Sequence, residues 1–219
     1  MLADTGYAVV PGPFDGATLD HLIARYDDAV AQAGPGDLAN GSTSVRVNGL
    51  LRHSPLFAAI FSHPPLLDAA TDLIGGPFKL SAFHGRNVRP GAVAQTLHQD
   101  VAPGKDGWPL LGFILMVDAF AIGNGATRFL PGSQQLADVA PDLRDQHPDQ
   151  RPACGPVGTM ILFHGSVWHG HGANLTGAWR RSIQGAMIPH DARAAVDYRR
   201  DLPPEAWSRL PLAARRLLN

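Results

Sequence analysis

Two short stretches carry the side chains that could do chemistry. LHQD at residues 97–100 sets His98 and Asp100 two positions apart. In an extended strand, residues i and i+2 project to one face, so this imidazole and carboxylate would point together. Such a pair supplies two metal donors, or a base with its orienting carboxylate, or a surface histidine beside a turn aspartate, because a pattern this short recurs by chance. WHGHGANLTGAWRRS at 168–182 adds His169, His171, Asn174, Arg180 and Arg181 within one loop-and-strand segment. Two imidazoles and one carboxylate on one side of a metal leave positions open. Non-haem Fe(II) oxygenases need that arrangement to take a cosubstrate and dioxygen together. Structural zinc sites close all four positions instead, usually with cysteine, and Cys154 is the sole cysteine of the chain.

These residues need elements to hold them. Leu19, Leu22, Ile23, Tyr26 and Val30 fall on one stripe, which predicts a helix over 16–33 with Asp15 as N-cap and Gly34-Pro35-Gly36 as its end. A second helix is expected from Ser54 and Pro55, and a third from Pro64-Pro65 to Gly75-Gly76. From residue 77 the texture turns to short β-like runs at 78–85, 92–100, 110–120, 126–132, 158–165 and 180–188. Gly123-Asn124-Gly125 marks a tight reversal between two of them, and helix is expected again after Asp191. The 24 glycines and 19 prolines are spread along the chain, which suits a loop-rich β fold. The expected fold is a mainly β, α+β domain: a jelly-roll core (a double-stranded β-helix) with flanking helices. One domain is expected over 1–219, with a helical part at about 1–76, the core at about 77–190 and an extension at about 191–219.

Three separated pieces resemble the phytanoyl-CoA dioxygenase family of Fe(II)/2-oxoglutarate oxygenases. LHQD at 97–100 is similar to that family's His-x-Asp, NGATRFLPGSQ at 124–134 to its NG…PGSH element, and HGHGANLTGAWRRS at 169–182 to its HG-S-G-x-N…R element. The pieces stand in the right order over roughly 78–190. The resemblance implies Fe(II) held by His98, Asp100 and His169, with 2-oxoglutarate and dioxygen as cosubstrates. It also implies Arg180 on the distal carboxylate of 2-oxoglutarate, a task suited to a planar, permanently charged fork. Ser182, two residues further on the same strand face, would join Arg180. Asn87 and Thr127 would stand near the cosubstrate. The chain departs from the pattern at His171, where the family has serine, so His171 is the alternative metal ligand; His169 is preferred because Asn174 and Arg180 keep register with it. Gln134 replaces the histidine of PGSH. Retention of Asp100 argues against halogenation.

The implied reaction is hydroxylation of an unactivated C–H bond in a small molecule, as 2-oxoglutarate is decarboxylated to succinate. Phe83, His84, Arg86, Lys105, Trp108, Phe113 and Trp168 flank the motifs and are candidates to line a substrate pocket, although most aromatic residues are simply core. Two other readings use the same residues: a zinc-type hydrolase, which would need no Arg180, and a non-catalytic jelly-roll ligand-binding module. Composition narrows the field further. With 18 basic and 19 acidic side chains the net charge is −1, which argues against nucleic-acid and polybasic membrane partners. No basic leader followed by an apolar run and no long apolar span is present, so a cytoplasmic location is expected.

Overall fold

The computed structural model describes residues 2–102, 109–136, 144 and 147–218. Lys105 and Trp108, both expected near a substrate pocket, lie outside them.

A long sheet organises the fold. Its strands are β1 (Tyr7–Pro11), β2 (Leu38–Asn40), β3 (Ser44–Val47), β4 (Phe78–Val88), β5 (Leu111–Met116), β8 (Thr159–His164) and β10 (Arg180–Pro189). They are ordered β1-β8-β5-β10-β4-β3-β2, with every pairing antiparallel. A small sheet, β7 (Arg151–Pro152), β6 (Thr127–Phe129) and β9 (His169–His171), faces it, giving the two-sheet jelly roll.

Alternation along the strands gives the long sheet two different faces. Phe83, Leu111, Phe113, Leu115, Ile183 and Met187 pack under two helices, Gly16–Ala31 and Pro64–Ile74. Ile114, Met116, Ile161 and Phe163 point the other way, into a core shared with Phe129 of the small sheet. All six residues of β5 are buried because it is covered on both sides. The helices form as their sequence predicts. At the start of the first, the backbone N–H of Asp15 donates to Thr18 Oγ1 at 3.1 Å, and the second ends on Gly75 at φ +70°.

Two expectations need correction. The first 76 residues are not simply helical, because they also supply β1, β2 and β3 to the long sheet. Those strands are only three to five residues long, and β1 and β3 join the sheet through distant partners, β8 and β4, so local periodicity does not mark them. Residues 92–100 do not form a regular strand either. They meet β9 only at intervals, where Gln95 N donates to His171 O (2.9 Å) and where His98 and His169 exchange backbone bonds (both 2.9 Å).

Candidate metal and cosubstrate site

Between the two sheets lies a cavity of about 270 Å³. His98 and Asp100 reach it from the irregular segment, His169 and His171 from β9, Thr127 from β6, and Arg180 and Gln184 from β10. His98 Nε2 lies 4.0 Å from Asp100 Oδ1, and His169 Nε2 lies 3.9 Å from Asp100 Oδ2. Those separations exceed hydrogen-bond length, yet the three donor atoms all fall within 4.8 Å of one another. They surround a common point.

The imidazoles are prepared as donors by their other nitrogens. A carbonyl only accepts, so the contact of His169 Nδ1 with Val167 O (2.9 Å) requires Nδ1 to carry the proton, leaving a lone pair on Nε2. His98 Nδ1 lies 3.3 Å from Thr96 O in the same sense. Burial pushes the His169 pKa down and keeps the ring neutral. Phe163 and Phe129 flank that ring, with centroids 4.7 and 5.7 Å away. His171 is committed differently. Its Nδ1 donates to Gly172 O (2.8 Å), so its Nε2 accepts from the Thr43 hydroxyl (2.9 Å).

Arg180 is the other unusual group. It is 2 % exposed, and Nη1 donates to Ser182 Oγ at 3.0 Å, while Nε and Nη2 have no partner among the described residues. Phe120 lies beneath the guanidinium, 4.3 Å from ring centroid to Cζ. Burial, then the nearby Arg86, lowers its pKa to about 9, so it is still charged at neutral pH. Arg181, its neighbour in sequence, faces the opposite side and is bound by Asp118 (Nη2–Oδ1 2.7 Å) and by Asp27.

Strand alternation also sorts the remaining candidates. On β4, Ala82, His84 and Arg86 line the cavity. Asn87 does not: it turns to the helix layer, where its Oδ1 accepts from Tyr26 O–H at 2.6 Å. Phe83 likewise packs in the helix-side core, against Phe61 (5.3 Å between centroids) and Phe113 (6.3 Å). Phe113 also lines the cavity, and the missing Cβ of Gly185 leaves room for its ring. Trp168 joins Leu97 and Leu130 in a separate cluster, away from the cavity lining. Gln134 donates to Ala3 O (2.9 Å), and Asn174 ties its loop to Arg89 O (3.0 Å) and Ala178 O (2.8 Å), so both are structural. Sequence reasoning missed Arg46, Gln95 and Gln184, which line the cavity. For Gln184 the signal was present, since it continues the i, i+2 series of Arg180 and Ser182.

A family model for phytanoyl-CoA dioxygenase matches residues 2–182. The chain belongs to the phytanoyl-CoA dioxygenase family. It is thus an Fe(II)- and 2-oxoglutarate-dependent dioxygenase. Among related proteins, the enzyme is 28 % identical to dioxygenase af480 of Aspergillus fumigatus, over 99 % of this chain and 74 % of that one. It is 30 % identical to dioxygenase trt7 of Aspergillus terreus, over 86 % of this chain and 71 % of that one. Its fold is similar to that of HygX from Streptomyces hygroscopicus, a structure with nickel, 2-oxoglutarate and hygromycin B bound (TM-score 0.73, 16 % identity, 88 % and 86 % of the two chains). It is also similar to the epimerase SnoN in complex with Fe3+, alpha ketoglutarate and nogalamycin RO (TM-score 0.72, 20 % identity, 93 % and 88 %). Among the described residues, no helix of the enzyme is long and apolar enough to cross a membrane.

Proposed function

We propose that His98, Asp100 and His169 hold Fe(II), that Arg180 and Ser182 receive the distal carboxylate of 2-oxoglutarate, and that the enzyme hydroxylates a C–H bond of a small molecule in the same cavity. One observation carries this reading: a buried, charged Arg180 with two free donors lines the cavity that holds the three metal-type donors. A buried cation without an anionic partner is costly, and a carboxylate would meet both free donors at once. Iron and 2-oxoglutarate would supply the oxidising chemistry, in which dioxygen is consumed, 2-oxoglutarate becomes succinate and carbon dioxide, and one oxygen atom enters the substrate.

The protein's own part is to position and exclude. Val167 O fixes the tautomer of His169, and burial keeps that ring neutral so that its Nε2 can donate. Phe129 and Phe163 shield the ring from water. Ser182 Oγ, itself donating to Arg86 O (3.0 Å), holds Arg180 Nη1 in place. His169 is preferred to His171 as ligand because Thr43 already occupies His171 Nε2. Thr127, 3 % exposed, lines the same cavity and is assigned to the cosubstrate with them.

The test is an anaerobic titration of 2-oxoglutarate into the Fe(II)-loaded protein. A weak visible charge-transfer band is expected, lost in His98→Ala. No band from the folded wild type would sink the assignment, and oxygen-independent turnover would favour the hydrolase.

A further inference from the structure

The floor of the cavity is accounted for by the metal donors and Arg180, but its rim is not. Arg46 on β3 and Arg86 on β4 are direct cross-strand partners. Both line the cavity, and both also line a shallow groove beside it. They therefore stand where the cavity opens outward. Like charges placed directly opposite destabilise a sheet unless something compensates them. Arg46 has no ion-pair or hydrogen-bond partner among the described residues, and Arg86 donates only a long bond to Gln95 Oε1 (3.4 Å). The carboxylate that acts on Arg86, Asp100, belongs to the three-donor cluster.

The neighbouring His84 shows the same excess of positive charge. Burial first, then Arg46 and Arg86, lower its pKa to about 3, so the ring is neutral, and its buried Nε2 has no partner among the described residues. Other arginines of the sheet and its flank are answered by carboxylates, Arg181 by Asp118 and Asp27, and Arg52 by Asp37, whereas Arg180 is kept for the cosubstrate. At the rim the two guanidinium groups have no carboxylate in contact with them among the described residues.

We propose that Arg46 and Arg86 clamp a carboxylate of the primary substrate, making the substrate class a small organic acid. It would be held by its anionic end at the rim, with the carbon to be oxidised lying inward beside His98, Asp100 and His169. Two guanidinium forks on paired strands suit a planar two-oxygen group, and the positive rim would draw acids toward the opening. This inference rests on the functional reading above, in which Arg180 serves the cosubstrate.

The experiment uses the full chain, loaded anaerobically with Fe(II) and 2-oxoglutarate. Thermal shift is measured with benzoate, phenylacetate and hexanoate, with their methyl esters, and with phenyl phosphate. The acids should stabilise the protein and the esters should not. Arg46→Gln should weaken acid binding by about tenfold or more, as expected for the loss of a charge-assisted hydrogen bond. It should also raise the resting melting temperature, because the cross-strand repulsion is gone. Arg46→Lys, which keeps the charge, should retain part of the acid response. The 2-oxoglutarate titration of Arg46→Gln should match wild type. Equal response to acids and esters, a response confined to phenyl phosphate, no response to any probe, or acid binding unchanged in Arg46→Gln would each overturn the clamp. So would a weakened 2-oxoglutarate titration in that variant, since the arginines would then serve the cosubstrate. A missing charge-transfer band beside Arg46-dependent acid binding would remove the functional reading and leave the clamp standing.

Discussion

Arg180→Met separates what this side chain does for binding from what it does to the fold. In the resting protein its Nε and Nη2 are buried and without partners among the described residues. Each unsatisfied buried donor costs on the order of 1–3 kcal/mol, so the two together cost roughly 2–6 kcal/mol. The stacking on Phe120 (4.3 Å), desolvated as it is, offsets about 2 kcal/mol of that. Subtracting 2 from each limit leaves a net cost of roughly 0–4 kcal/mol that methionine, of similar length and without polar atoms, would remove. Ser182 Oγ stays satisfied without the arginine, since it still donates to Arg86 O (3.0 Å) and accepts from Gln184 Nε2 (3.3 Å).

The metal-free variant should therefore melt at or above the wild-type temperature, with about 2–4 °C gained per kcal/mol in a chain of this size. Binding should move the other way. Two charge-assisted bonds to a carboxylate, at about 1.5–3 kcal/mol each, make roughly 3–6 kcal/mol. That corresponds to about a hundredfold to ten-thousandfold weaker 2-oxoglutarate binding. Calorimetry of the metal-free protein and anaerobic titration of the Fe(II) form read the two effects separately. A variant that melts lower and still binds 2-oxoglutarate within about threefold of wild type would refute the reasoning, because the free donors would then serve the fold.

Other consequences are checked more simply. His98→Ala and His169→Ala should lose bound iron in elemental analysis of anaerobically loaded protein, whereas His171→Gln should keep it; equal loss in all three would reopen the choice of ligand. The His84 pKa lies at about 3 in the folded protein, against the ordinary histidine value of 6.5, so the unfolded chain binds the extra proton between those values. Stability should fall as pH drops from about 6.5 toward 3, by at most about 1.4 kcal/mol per pH unit from this group. His84→Phe should flatten that slope in urea titrations, and an unchanged slope would place the sensitivity elsewhere. Tyr26→Phe removes the donor 2.6 Å from Asn87 Oδ1 and should cost about 1–3 kcal/mol in denaturant unfolding; no loss would mean that another donor reaches Asn87.

The motif residues were legible because their chemistry is compressed into short segments. His98, Asp100, His169, Arg180 and Ser182 each sit at a spacing that one sequence can display. What was not legible was placement across strands. Arg46 lies on a four-residue strand whose register opposite Arg86 is fixed only by tertiary pairing, so no local pattern marks it. From sequence, Arg86 is a candidate for the substrate pocket and Asn87 for the cosubstrate, although adjacent strand residues point to opposite faces. Strand parity applied strictly would have sent one of them away, and Tyr26 decides which, by binding Asn87 from the helix layer. The irregular segment at 92–100 shows the opposite case. His98 and Asp100 do share the cavity, but through spaced backbone contacts to β9 and to Gly165 rather than through a continuous ladder.

Parity also explains how the fold tolerates a buried arginine with free donors. On β10, Arg180, Ser182 and Gln184 belong to the cavity face, while Ile183 and Met187 lie in the helix-side core. A slip of one residue would carry Arg180 into that core and expose Ile183 to the cavity. Arg181 opposes such a slip. Its backbone N–H donates to Asp118 Oδ2 (2.7 Å), its guanidinium binds Asp118 and Asp27, and it stands beside Arg180. The ion pair next door and the apolar residues further along hold the register, and Ser182 and Phe120 place the guanidinium, so Nε and Nη2 are not needed to keep Arg180 in place. Its two free donors remain available to a ligand because neighbouring residues carry the structural work.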